Sequence, residues 1–99
     1  MPRKLPVTFA ESAVSDLQNI QDYYENEQAP ETGRRLIADI IRAVQQLSAF
    51  PLSGRVVPEF DVSDLREIVH PPFRLVYRYD RKRVRIIRVW RSERLLKLP

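Results

Sequence analysis

From Ala10 onward the apolar residues Ala10, Ala13, Leu17, Ile20 and Tyr24 recur every three or four positions, while Glu11, Asp16, Asp22 and Glu25 fall between them. That spacing gathers the apolar positions on one stripe of a helix, which is predicted to end near Asn26 because Pro30 disfavours helical geometry at Ala29. A second helix is predicted from about Glu31 to Ser48, with Leu36, Ile37, Ile40, Ile41, Val44 and Leu47 on one broad stripe. The break between them is short, so the two should lie antiparallel as a hairpin. Elsewhere the period shortens. Lys4 to Phe9 alternates weakly and reads as a first strand, and Phe50-Pro51-Leu52-Ser53-Gly54-Arg55 opens an irregular stretch to about Asp64. Leu65 to Val69, Phe73 to Tyr79 and Val84 to Trp90 then read as three strands, the last two joined by the polar turn Asp80-Arg81-Lys82-Arg83. The expected fold is α+β: an N-terminal strand, an antiparallel helix hairpin, then a three-stranded antiparallel sheet. The helices should cover one face of the sheet and leave the other to the arginines.

At 99 residues the chain is expected to form a single domain, residues 1–99, with one modest core. There is no Cys, and His70 is the only histidine, so thiolate and His-pair metal sites are excluded and no cofactor or metal is expected. Gly33 and Gly54 are the only glycines, too few for a Gly-rich phosphate loop. No apolar run approaches the roughly 20 residues of a membrane span, and Met1 to Pro6 lacks the apolar stretch of a signal peptide. The expected location is cytoplasmic.

Charge changes the picture. Residues 65 to 99 hold eleven Lys/Arg against three carboxylates, a net of +8, whereas residues 1 to 64 come out at −4. The basic residues Arg74, Arg78, Arg85, Arg88, Arg91 and Arg94 are interleaved with strand-forming apolar residues. A solvated face made soluble by charge is one reading, but soluble surfaces usually mix signs, and like charges on neighbouring strands repel. A rigid basic surface for an anionic partner is the preferred reading. Trp90 is expected to pack, with stacking on a partner as the alternative, and His70 beside Pro71-Pro72 is expected to be a turn residue. The acidic pairs Asp22/Glu25 and Asp61/Asp64 fit solvated surfaces better than a metal site. Tyr23 and Tyr24 cannot both point inward, which leaves Tyr23 for a partner groove.

Four stretches in order, Phe50-Pro51-x-x-Gly54-Arg55, Leu65-Arg66-Glu67-Ile68, Phe73-Arg74-Leu75-Val76-Tyr77-Arg78 and Val84-Arg85-Ile86-Ile87-Arg88-Val89-Trp90-Arg91-x-x-Arg94, resemble the ParE-like branch of the RelE/ParE toxin superfamily. The likeness runs from Phe9 to Leu96. It implies a type II toxin-antitoxin toxin, of the plasmid-stabilisation kind, that causes growth arrest and is neutralised by a cognate antitoxin in a heteromeric complex. ParE-like members inhibit DNA gyrase, and RelE-like members cut messenger RNA on the ribosome. Three outcomes stay open: gyrase inhibitor, mRNA endonuclease, or an inactive relative that still binds an antitoxin. The first is preferred, because arginine carries protons poorly and no acid and base are evident. Target binding is assigned to Arg74, Arg78, Arg88, Trp90, Arg91 and Arg94. Antitoxin binding is assigned to Leu17, Ile20, Tyr23, Tyr24, Leu36, Ile40 and Val44. In the nuclease reading the charge-stabilising residues would be Arg66, Arg74, Arg91 and Arg94. The segment from Trp90 to Leu98 is expected to be needed for toxicity.

Overall fold

The computed structural model describes residues 4–91. In chain order these form β1 (Val7–Phe9), α1 (Glu11–Asn26), α2 (Pro30–Gln45), a 3-10 turn (Gln46–Ser48), β2 (Arg55–Val56), β3 (Leu65–His70), β4 (Phe73–Tyr79) and β5 (Val84–Arg91). The sheet has five strands in the order β1-β5-β4-β3-β2 rather than the three expected. The three predicted strands are its centre. Two short edges were added by pairing that local patterning does not display: β1 runs parallel to β5, and β2 pairs through two residues only, Arg55 with Glu67 and Val56 with Arg66.

Both helices start and stop for identifiable reasons. Glu11 sits in the first turn of α1, where the helix dipole favours a carboxylate. Gln28 adopts a positive φ in the loop, and Pro30 takes the first turn of α2, where its missing N–H costs nothing. The hairpin closes tightly at Gly33: a Cβ there would lie 3.0 Å from the Tyr24 Cβ.

The helix pair covers one face of the sheet. Ala13 of α1, Ile40 and Val44 of α2, and Leu47 pack on Phe73, Leu75, Tyr77, Val84, Ile86 and Val89 as one core. On the other face Val57, Leu65 and Val76 form a second, smaller cluster against Ile87 and Trp90. The expectation of an open arginine face is therefore corrected. The segment between β2 and β3 folds over part of it, and Arg74, Val76's neighbour on that face, is only 7% exposed. Val76 pairs with Arg88 and Tyr77 with Ile86, so Ile87 is the extra residue of a β-bulge. Bulges re-aim side chains. Here Ile87 joins the second cluster while Arg88 reaches α1.

Candidate functional site

Among the described residues no strand pairs with the outer side of β5 beyond Ile86, and α1 takes that place. Ser12 Oγ donates to the Ile87 carbonyl at 2.6 Å, and the Asp16 carboxylate accepts from the Val89 N–H and from Arg88 Nε and Nη2, each at 2.8 Å. Asp16 thus closes the open edge of a strand and fixes a guanidinium in one step. The Arg88 guanidinium in turn lies 4.3 Å from the centre of the Trp90 ring, within cation–π range.

Past this joint the helix and the strand part, leaving a cleft of about 520 Å³. Ile20, Tyr23 and Tyr24 line it from α1, with Asp16 and Asn19; Phe73, Arg88, Val89, Trp90 and Arg91 line it from the sheet. Tyr23 and Tyr24 meet edge to face at 5.0 Å, and Tyr23 remains half exposed. The Arg91 guanidinium stands 6.0 Å from the Phe73 ring. Aromatic rings and oriented guanidinium groups on one concave surface are what a protein segment with apolar anchors requires.

The structure thus brings together residues assigned to two different partners. Ile20, Tyr23 and Tyr24, expected for the antitoxin, and Arg88, Trp90 and Arg91, expected for the target, share one cleft. Leu17 and Leu36 are half-buried and pack against the main core. Ile40 and Val44 are corrected: they are 0% and 1% exposed, beneath the helix hairpin, and line no surface. Arg94 lies outside the described residues, as does all of the terminal segment after Arg91.

Arg74 is also corrected as an open contact residue. Its Nε donates to Glu67 Oε1 at 2.6 Å, and Nη1 and Nη2 fork onto Glu59 at 2.7 and 2.8 Å. Glu67, itself buried, takes Arg55 on its other oxygen at 2.6 Å. The hydrogen bond from Arg74 pulls the Glu59 carboxyl down to about 2, and the two carboxylates together raise Arg74 further above its usual range. Arg66 donates to the carbonyls of Gly54 and Ser63 at 3.0 and 3.1 Å. Arg78 is exposed and pairs with Asp64 at 3.1 Å. These arginines tie the segment between Gly54 and Asp64 to the sheet.

Tyr77 completes that anchoring. Its hydroxyl donates to the Pro51 carbonyl at 2.7 Å and accepts from the Gly54 N–H at 3.0 Å, and burial pushes its pKa up. His70 ends β3 just before the cis Pro71-Pro72 bond and lines a shallow groove with Asp39, Arg42, Ala43, Gln46 and Ile68. Among the described residues no cluster of three or more His, Cys, Asp or Glu could hold a metal ion, and no helix is long and apolar enough to cross a membrane.

Asp16 was the residue that sequence reasoning missed. A carboxylate at that spacing on α1 reads as solvated, and its partner lies 72 residues away.

Residues 7–96 match the family described as the ParE toxin of type II toxin-antitoxin systems, parDE. The chain belongs to this family. Among solved structures it is similar to a chain of the chromosomal ParDE system from P. aeruginosa, at 26% identity and a TM-score of 0.77, covering 92% of this toxin and 99% of that chain. It is also similar in fold to a chain of the toxin-antitoxin complex RelBE2 from Mycobacterium tuberculosis, at 24% identity and a TM-score of 0.64, covering 92% and 94%. No curated protein matches it. With both the likeness is one of overall fold.

Proposed function

We propose that this ParE-type toxin is neutralised by an antitoxin segment lying in the cleft between α1 and β5, and that its target is DNA gyrase. The observation that carries the first part is the convergence of Ile20, Tyr23 and Tyr24 with Arg88, Trp90 and Arg91 on one concave surface. An occupant there covers the target-facing residues directly, so neutralisation needs no conformational change in the toxin. Both similar structures come from toxin-antitoxin systems, which supports an antitoxin as the occupant.

The gyrase assignment rests on the engagement of the arginines that an RNA-cutting reading would use. Arg74 is held by Glu59 and Glu67, and Arg66 by two main-chain carbonyls. Cleavage also requires a group to take the 2′-hydroxyl proton and another to protonate the leaving oxygen, contributions of roughly 10²- to 10⁴-fold each. The one imidazole, His70, sits at the far end of β3 beside the helix α2 groove. Expression of the toxin without antitoxin should therefore give gyrase-linked DNA breaks and an SOS response with intact messenger RNA. Codon-specific cuts in translated messages, lost on Arg91→Ala, would replace gyrase by the ribosome as target.

A further inference from the structure

We propose that the tip of the β4–β5 hairpin is a docking surface for the phosphate backbone of duplex DNA, separate from the cleft. Arg78 and Arg85 face each other directly across the two strands, an arrangement of like charges that weakens a sheet. The turn that follows adds Arg81, Lys82 and Arg83, all exposed. The main-chain bond from Val84 N–H to the Pro6 carbonyl at 3.0 Å brings exposed Lys4 to the same end.

Among the described residues two carboxylates, Asp80 and Asp64, offset this cluster only in part. Asp80, the acid of the turn, turns Oδ1 inward to accept the main-chain N–H groups of Lys82 and Arg83 at 2.7 and 3.0 Å. Asp64 reaches only Arg78. Among the described residues Arg81, Lys82, Arg83 and Arg85 form no ion pair, and Asp80 acts on Lys82 and Arg83 only through its field. The contrast is with Arg74, whose guanidinium is taken up by Glu59 and Glu67 inside the fold.

The kind of partner follows from what the tip lacks. None of the exposed large apolar side chains lies between Arg78 and Arg85. A protein interface needs an apolar, usually aromatic, anchor, and single-stranded nucleic acid is held by stacking on aromatic faces. The one aromatic ring at the tip, Tyr79, is packed against the main core and offers no open face. Phosphates of a duplex need only positioned cations, and the turn from Asp80 to Arg83 projects beyond the flanking strands β1 and β3 to present them. The contact supplies affinity without sequence choice.

The test is fluorescence anisotropy of the full chain with a labelled duplex oligonucleotide over a salt series. If Arg81, Lys82, Arg83 and Arg85 neutralise about four phosphates, affinity falls about 150-fold between about 50 and 200 mM salt. In the variant Arg81→Gln/Lys82→Gln/Arg83→Gln the fall shrinks to about 4-fold. A control with the same loss of charge, Arg34→Gln/Arg35→Gln/Arg42→Gln on α2, keeps the steep dependence. Lys82→Gln alone disturbs no hydrogen bond of the turn and lowers the log–log slope by about one, so the test does not hang on the triple variant folding. A variant as salt-sensitive as wild type, a control that loses the dependence equally, or equal affinity for single strands or polyglutamate would overturn the proposal. It stands apart from the gyrase reading: a toxin that binds duplex in this way and leaves gyrase untouched refutes only that reading.

Discussion

Replacing Asp16 with alanine removes three hydrogen bonds of 2.8 Å and leaves a guanidinium and a buried main-chain N–H without an acceptor. Deleting one member of a buried ion pair costs about 3 to 5 kcal/mol, and the lower end applies because Arg88 retains 21% of its side-chain surface and can rehydrate. A loss of about 3 kcal/mol in a domain of this size lowers Tm by about 12 to 24 °C. Asp16→Asn keeps one oxygen for the Val89 N–H and Arg88 Nε but loses the charge and sets an amide N–H2 donor against Arg88 Nη2, so about 1.5 to 3 kcal/mol is expected. The assay is urea and thermal unfolding of Asp16→Ala, Arg88→Ala and the double variant. Because the two side chains form one unit, the double variant should be more stable than the sum of the single effects implies, by about 1 to 3 kcal/mol. A second readout is the fluorescence of Trp90, the sole tryptophan, which should change when Arg88 leaves its ring. Single effects that simply add, or an Asp16→Ala variant within about 0.5 kcal/mol of wild type, would show that the joint does not hold α1 to β5.

Gly54→Ala should destabilise by about 1 to 3 kcal/mol in urea unfolding, because the new Cβ would lie 2.6 Å from both the Glu67 carbonyl oxygen and the Tyr77 hydroxyl. Ile40→Ala should cost about 2 to 5 kcal/mol, whereas Tyr23→Ala should leave stability within about 0.5 kcal/mol and weaken antitoxin binding measured by calorimetry. Glu59 links stability to acid: its folded pKa of about 2 lies below the ordinary 4.5, so its contribution is full above about pH 4.5 and is lost as pH falls towards 2. Its side chain is 34% exposed and screened, so Glu59→Gln should flatten the acid limb of the stability profile by no more than about 1 kcal/mol.

The helix hairpin and the three long strands were legible because each carries its own period, such as Ile40, Val44 and Leu47 on α2 and the alternation of Phe73, Leu75 and Tyr77 on β4. β2 was not legible, since two residues have no period. β1 was readable as a strand, but its parallel pairing with β5 spans 77 positions, from Val7 to Val84. The cleft was half legible. Its aromatic residues stand out in the sequence, and both Tyr23 and Tyr24 line it, yet the assignment of Ile40 and Val44 to the same groove merges the apolar stripe that builds the core with the surface beside it. The Ile87 bulge shows no sequence signal in a run of Val, Ile and Arg, and without it Arg88 would not meet Asp16.

The charge run divides by partner distance rather than by residue type. Arg55, Arg66 and Arg74 bond atoms between 3 and 15 positions away, all of them within the stretch from Gly54 to Glu67. That stretch has a practical need for ionic anchoring. It contributes only Val57 and Leu65 to the buried cluster, while Phe60 and Val62 remain exposed, so apolar burial alone holds it weakly. Val57 alone would fix one point of the segment and allow it to rotate. The bidentate fork of Arg74 onto Glu59 adds a second, directional point, and Arg66 on the Ser63 carbonyl a third. Forked geometry matters here, because lysine at position 74 could not bond Glu59 with two parallel N–H groups while reaching Glu67. The same side chain that suggests a ligand site in sequence is thus required to close the second face, whereas Arg81, Lys82 and Arg83 form no ion pair among the described residues and Asp80 spends its hydrogen bonds on its own turn.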